Sequence, residues 1–400
     1  MDILKRLVTV ITILCLFLLL FPSVGIAERE LVNHNHPAKQ LTLEKRVLPE
    51  SMARFVYDSG FDFEYPDAVR GIYVTGHSAG GSKFETLTKM IDQTELNAMV
   101  IDIKDDFGNL TYLPEDRSKY KEISKPYIKD PKKILKTLEE KQIYPIARVV
   151  VFKDSILANK RPELSFKEGD HVWKNGRGES FVNPFLKEVW DYNVDIAIEA
   201  AIMGFEEIQF DYVRFPEGFE TRDDVLKYQT GEYEGGDEDN IRKRVSAVTD
   251  FVEYAKKKLE PYDVKVSVDI FGYSATLPEA PGIGQNFSMI SENVDVISSM
   301  IYPSHWTSYF GISKPDTEPY NIINEYAKLE NKKLSELKER PISRPWLQDF
   351  TAYWLGSGNY IKYGKSEVEA QIKALNDNGI KEFLLWNASN AYTEGVDYTP

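Results

Sequence analysis

The chain has a single cysteine in 400 residues, Cys15, and it lies inside an N-terminal apolar run. Once that run is removed by processing, no disulfide, no thiol catalysis and no cysteine-ligated zinc is available. Histidine is almost as scarce. His34, His36, His77, His171 and His305 are the full set, and they show no metal-ligand spacing. No metal site is expected. Positive charge is in deficit, with 49 Lys and Arg against 63 Asp and Glu and a net charge of -14. That balance argues against nucleic acid or an anionic membrane surface as a partner. It suits neutral or cationic substrates, and an acidic surface also serves solubility. Internal repeats and low-complexity tracts are absent. The one long apolar run, residues 7–21, falls short of the roughly 20 residues that span a membrane.

That run reads as a targeting segment. Lys5 and Arg6 precede it, and Gly25 and Ala27 place small residues where a signal peptidase cleaves. Residues 1–27 are therefore expected to be a signal peptide, or an N-terminal membrane anchor if uncleaved. The protein would be secreted or held at the cell surface. Residues 28–66 are polar and weakly periodic, a lead-in with one short helix near Ser51. From residue 67 a regular alternation begins and runs to residue 400.

Short stretches rich in Val, Ile and aromatics fall at 71–75, 98–103, 144–151, 207–213, 265–270, 295–301, 344–348 and 382–386. Helical patterns fall between them, at 83–92, 131–141, 184–203, 241–259, near Ser288, 319–329 and 366–378. Asn183 reads as an N-cap ahead of Pro184, and Gly379 as the residue that ends the last helix. Strict alternation predicts a parallel sheet, and eight units over this length predict a single-domain (β/α)8 TIM barrel. A doubly wound open sheet competes. Its strands would be apolar on both faces. Here Asp102 and Lys104, Gln209 and Asp211, Ser267 and Asp269, and Trp346 and Gln348 put polar groups on one face toward the strand ends. That suits a barrel mouth.

The connections at 153–182 and 215–240 are long enough to be lids or binding loops. The second carries the acidic run 232–239, which reads as a solvated tip because it lacks a calcium-loop pattern. Gly76-His77-Ser78-Ala79-Gly80 matches the nucleophile elbow of serine esterases. Its place on the first strand is wrong for that fold, which needs earlier strands to build the oxyanion hole. An esterase would have to complete its triad with Asp269 and His305. The plainer reading is a tight first loop whose Ser78 or His77 caps a helix or touches a ligand.

The segment 207–216 carries the strongest signal. Ile208, Phe210 and Tyr212 share one face, Gln209 and Asp211 the other, and Arg214 and Pro216 close it. One reading is a buried Asp211–Arg214 ion pair that holds a loop. The other is chemistry, because a carboxylate at the C-terminal end of a barrel strand lies where barrel enzymes react. Asp102, Lys104, Arg148, Asp211, Arg214 and Asp269 all converge if the barrel closes. Cleaving a glycosidic bond takes two carboxyls, and Asp211 and Asp269 sit on neighbouring strands with shared parity. Arg214 beside Asp211 suits an ionised nucleophile, and the apolar neighbours of Asp269 suit an acid/base. Tyr73, Tyr212, Tyr273, Tyr302, Trp306, Tyr353, Trp354 and Trp386 crowd the strand ends and as a set offer faces for sugar rings. Gln209, His305, Gln348 and Asn387 offer hydrogen bonds to hydroxyls.

Arg70–Val74, Val100–Asp105, Phe181–Pro184, Glu207–Pro216, Val268–Tyr273 and Met300–Trp306 occur in this order. Together they resemble the glycoside hydrolase (TIM-barrel) domain family of exported bacterial proteins, related to α-amylase-like and galactosaminidase-like barrels. The resemblance implies a barrel and a glycan site over most of the chain. Related barrels place a nucleophilic Asp on strand four, which Asp211 matches, and an acid Glu on strand five, where this chain has Asp269. The expected activity is hydrolysis of an extracellular or cell-wall polysaccharide without a cofactor. The alternatives are a non-catalytic glycan-binding barrel in the cell envelope and a serine esterase through Ser78.

Overall fold

Apolar residues at period two build eight parallel strands, and the sheet closes on itself. The computed structural model describes residues 57–114, 120–235 and 238–399. The targeting segment, Cys15, His34, His36 and the helix expected near Ser51 lie outside the described residues. The chain divides into Met1–Met52 and Ala53–Pro400, and all described residues belong to the second unit.

The strands are β1 (Arg70–Val74), β2 (Ala98–Lys104), β3 (Tyr144–Val150), β4 (Glu207–Asp211), β5 (Lys265–Phe271), β6 (Val296–Met300), β7 in two pieces (Ile342–Ser343 and Trp346–Gln348) and β8 (Phe383–Trp386). Each pairs in parallel with the next, and Gly71↔Leu384 joins β1 to β8. The break in β7 falls at Arg344-Pro345, where the proline has no N–H to give the ladder. Helices α1 (Lys83–Asp92), α2 (Pro131–Glu140), α3 (Lys187–Met203), α4 (Asn240–Leu259), α5 (Phe287–Ser291), α6 (Pro319–Ser335) and α7 (Lys365–Asp377) follow β1 to β7 in turn. The TIM barrel expected from the alternation is the fold.

One helix start differs from expectation. Asn183 does not cap α3. Its Oδ1 accepts from the Phe185 N–H, and its Nδ2 donates to the Gln229 carbonyl. The Pro184 carbonyl takes the Trp190 indole N–H, so Asn183 and Pro184 pin a loop and the helix begins at Lys187. Gly379 behaves as expected, with a left-handed φ of 76° just past α7.

Alternation along the strands sorts side chains into two cores. Ile72, Ile101, Val149, Phe210, Val268 and Leu385 face the helices. Tyr73, Val100, Ile146, Trp346 and Leu384 fill the barrel interior. The interior is thus packed at its waist, and a cleft opens at the C-terminal ends of the strands.

The floor is ionic. Arg344 donates to both Glu207 oxygens at 2.7 and 2.9 Å and to Glu382 at 2.7 Å. Tyr65 completes the network, taking an N–H from Arg344 and donating to Glu382 at 2.9 Å. The end of the polar lead-in therefore seals the barrel base. The Arg344 and Glu207 side chains are both 0% exposed, so neither charge has water as a substitute partner. Glu207→Ala is expected to cost about 3–5 kcal/mol in the free energy of urea unfolding, because it strands a buried guanidinium.

Candidate active site

At the mouth, β2, β3, β4, β5 and β7 each deliver a polar group. β2 points Asp102 inward near its end, and a bulge follows between Asp102 and Lys104. The bulge breaks the parity that the sequence suggested. Lys104 turns outward, where it is fully buried against α3. It pairs with Asp154 at 2.7 Å and donates to Asn193 at 2.9 Å. Asp106 comes round instead.

β3 delivers Arg148, which is 1% exposed and binds three carboxylates. Its Nη1 donates to Asp102 at 2.7 Å and its Nη2 to Asp106 at 2.7 Å. Nε and Nη2 both donate to Asp211 Oδ2, at 3.0 and 2.6 Å. The guanidinium lies 5.4 Å from the Tyr73 ring centre and 5.5 Å from that of Trp386, and these two rings stack at 4.0 Å. Tyr73 also donates its hydroxyl to Asp102 at 2.6 Å.

β4 delivers Asp211. Its second oxygen accepts the N–H of Tyr212 at 2.6 Å. Tyr212 has a φ of 54°, a conformation uncommon for a side chain of its size. That turn ends the strand and swings the Tyr212 ring into the cleft wall. The expected Asp211–Arg214 pair does not form. Arg214 reaches the Phe215 carbonyl at 3.1 Å and Glu217 at 3.2 Å, and Arg148 takes its place beside Asp211.

β5 delivers Asp269, one row beyond the Phe210↔Val268 register pair and so beside Asp211. Burial raises the Asp269 carboxyl well above its usual range, and the adjacent Asp211 charge raises it further. β7 supplies Trp346, whose indole N–H donates to Asp269 Oδ1 at 2.7 Å and opposes that rise. Burial also raises Asp102, against the pull of Arg148, to about 6. Asp106 goes the other way. Burial would raise it, but Arg148 and Lys153 outweigh that and hold it low.

These groups floor a cleft of about 580 Å³, with Arg148, Asp211, Arg214, Asp269, Tyr302, His305, Trp306 and Trp386 among its lining residues. The β3–α3 and β4–α4 loops wall it as expected, through Arg177, Glu217 and Glu220. The β5–α5 loop adds a third wall through Tyr273 and Gly282 that length alone did not flag. A smaller cavity of about 230 Å³ adjoins it and shares Arg177, Tyr212, Arg214 and Glu217.

Other expected contacts lie elsewhere. Asp102 sits behind Arg148. Gln209 is buried in the barrel and donates to Ser298 at 3.2 Å. Gln348 is buried too, holding Asp316 at 2.9 Å and the Ser304 N–H at 3.0 Å. Asn387 bonds the Asp349 and Ala391 carbonyls and shapes a loop. The elbow motif builds no triad. The Ser78 hydroxyl accepts from Thr75, while Asp269 is bonded by Trp346 and His305 by Ser304. Its glycines serve packing. A Cβ on Gly76 would meet Thr111 at 2.5 Å, and one on Gly80 would meet the Tyr127 carbonyl at 1.9 Å.

Asp106 and Trp346 complete the site but did not stand out as site residues in the sequence, whereas Tyr73 and Tyr212 belong to the aromatic set expected at the strand ends. The acidic pair Asp105-Asp106 was visible, yet only the bulge decides that Asp106 faces inward.

The raised Asp102 carboxyl makes a stability prediction. Its folded value of about 6 exceeds the ordinary 3.8, so the folded state binds the proton more tightly. That contribution is complete below pH 4 and is lost as pH climbs through 6, a loss of about 3 kcal/mol. The change in unfolding free energy between pH 4 and 7 is expected to shrink by about that much in Asp102→Asn, measured by urea titration.

Comparisons with known proteins agree with the barrel fold. The glycoside hydrolase domain of PgaB (BpsB) from Bordetella bronchiseptica superposes with a TM-score of 0.53, at 14% identity, over 80% of this chain and 94% of that one. That likeness concerns the fold. A hypothetical protein from Ruminiclostridium thermocellum ATCC 27405 is 31% identical over 50% of this chain and 96% of its own, with a TM-score of 0.43. No curated protein matches the chain. Residues 71–392 match the family described as "Putative glycosyl hydrolase domain". The match runs from β1 to beyond β8, and this chain belongs to that family.

Proposed function

We propose that this barrel hydrolyses glycosidic bonds in an extracellular or cell-wall polysaccharide, with Asp211 as nucleophile and Asp269 as acid/base. The observation that carries the reading is the contrast between two neighbouring carboxyls. Asp211 receives only donors, from Arg148 and the Tyr212 N–H, whereas Asp269 is buried so as to keep its proton. A carboxyl that keeps its proton, beside one that only accepts hydrogen bonds, suits an acid/base next to a nucleophile.

Adjacent strands lie about 4.8 Å apart, which suits the roughly 5.5 Å carboxyl spacing of retaining enzymes. In the first step an Asp211 oxygen bonds the anomeric carbon as the glycosidic C–O bond breaks. The Asp269 proton passes to the departing oxygen. In the second step Asp269 takes a proton from water, the water oxygen bonds the anomeric carbon, and the Asp211 ester breaks. The sugar leaves and both carboxyls return to their starting states. Indole only donates, so the Trp346 bond to Oδ1 leaves Oδ2 to carry the transferable proton. Tyr302, Trp306 and Trp386 offer ring faces to the sugar, and His305 and Arg214 offer donors. The N-terminal segment supports an exported location, and the acidic balance supports a neutral or cationic glycan over nucleic acid.

Reducing-sugar release from a panel of α- and β-linked polysaccharides, amino-sugar polymers and peptidoglycan tests the reading. Asp211→Asn and Asp269→Asn are each expected to lower kcat by about 10³-fold or more while remaining folded. A wild-type rate in folded Asp211→Asn would overturn the assignment. Binding without release would instead leave a glycan-binding barrel. Trp346→Phe removes a bond that favours ionised Asp269, so the basic limb of the pH–rate profile should move up by about one unit or less.

A further inference from the structure

Tyr353 and Trp354 are 65% and 64% exposed, side by side on the turn Tyr353–Leu355 in the β7–α7 loop. Large rings left in water at a cleft rim call for a partner. These two are not loose. Trp354 stacks on Phe350 at 5.8 Å and 25°, so one face is backed by protein, and its exposure belongs largely to the other. Tyr353 is braced edge-on by Tyr360 at 5.4 Å. The loop beneath is fastened by the Tyr363 N–H to Thr351 at 3.1 Å and by Lys314 to the Gly358 carbonyl at 2.7 Å.

The platform is continuous with the cleft. Trp354 meets the edge of His305 at 6.2 Å, and His305 meets Tyr302 at 5.2 Å; both of these line the cleft floor or wall. From the geometry we infer that Tyr353 and Trp354 form an outlying sugar-binding platform, on which the glycan chain continues after leaving the cleft. This rests on the glycan reading of the cleft and deepens it: the substrate is a polymer of several sugar units, not a small saccharide. The chemistry fits. A pyranose presents an apolar C–H face to a flat ring and keeps its hydroxyls in water. A ring with few rotatable bonds loses little entropy on binding.

The test measures binding in an Asp211→Asn background, where no turnover intervenes, by affinity electrophoresis and calorimetry across the same polysaccharide panel and the matching di- and trisaccharides. Tyr353→Ala/Trp354→Ala is expected to weaken polymer binding about tenfold and leave the short saccharides unchanged. Equal losses for short and long ligands, no loss for any polymer, or no glycan binding at all would overturn the platform. So would a change of sedimentation coefficient in the double variant, which would make the rings a contact between copies. Failure of the hydrolytic reading is distinct. It would appear as a polymer that binds through the platform yet is not cleaved by the wild-type protein.

Discussion

The active end of the barrel depends on one guanidinium. Arg148 is buried, yet it spends its donors on Asp102, Asp106 and Asp211, carboxyls contributed by two strands and the loop after β2. Without it those carboxyls would repel one another in a setting with little water to screen them. Its rigidity is enforced from the side, because Tyr73 and Trp386 leave the planar group little room to rotate. Asp211 therefore takes its position from β3 as much as from its own strand. A single cation fixes the spacing of three carboxyls and helps to hold Asp106 low.

The floor applies the same principle with a different purpose. Arg344 ties Glu207 of β4 to Glu382, beside β8, across the barrel axis, and Tyr65 covers the junction. Two buried arginines thus lock opposite ends of a hydrophobic waist. The waist excludes water between them, which strengthens each network and makes each intolerant of losing a partner.

Much of this was legible in the sequence because it rests on period. The strands, most helices and the inward parity of Gln209, Asp211, Ser267 and Asp269 follow from alternation that tertiary packing did not overrule. What escaped depends on departures from period. One bulge in β2 turned Lys104 out and Asp106 in. One left-handed residue, Tyr212, ended β4 and separated Arg214 from Asp211. Arg148 was visible as a charged residue in a strand, but its choice of partners depends on three-dimensional neighbours. Gln348 and Asn387 look like ligands for hydroxyls in sequence; in the fold, loop backbones had already claimed their hydrogen bonds.

The ratio of charges around Arg148 carries a further consequence. Three carboxyls surround one guanidinium; of the three only Asp106 meets Lys153 as a second cation, and Lys153 is shared with Glu179. The floor of the cleft is therefore left with a negative potential that the low-dielectric waist does little to dissipate. A cation seated there is held more tightly than a neutral molecule of the same shape. The cleft therefore sorts its occupants by charge as well as by shape.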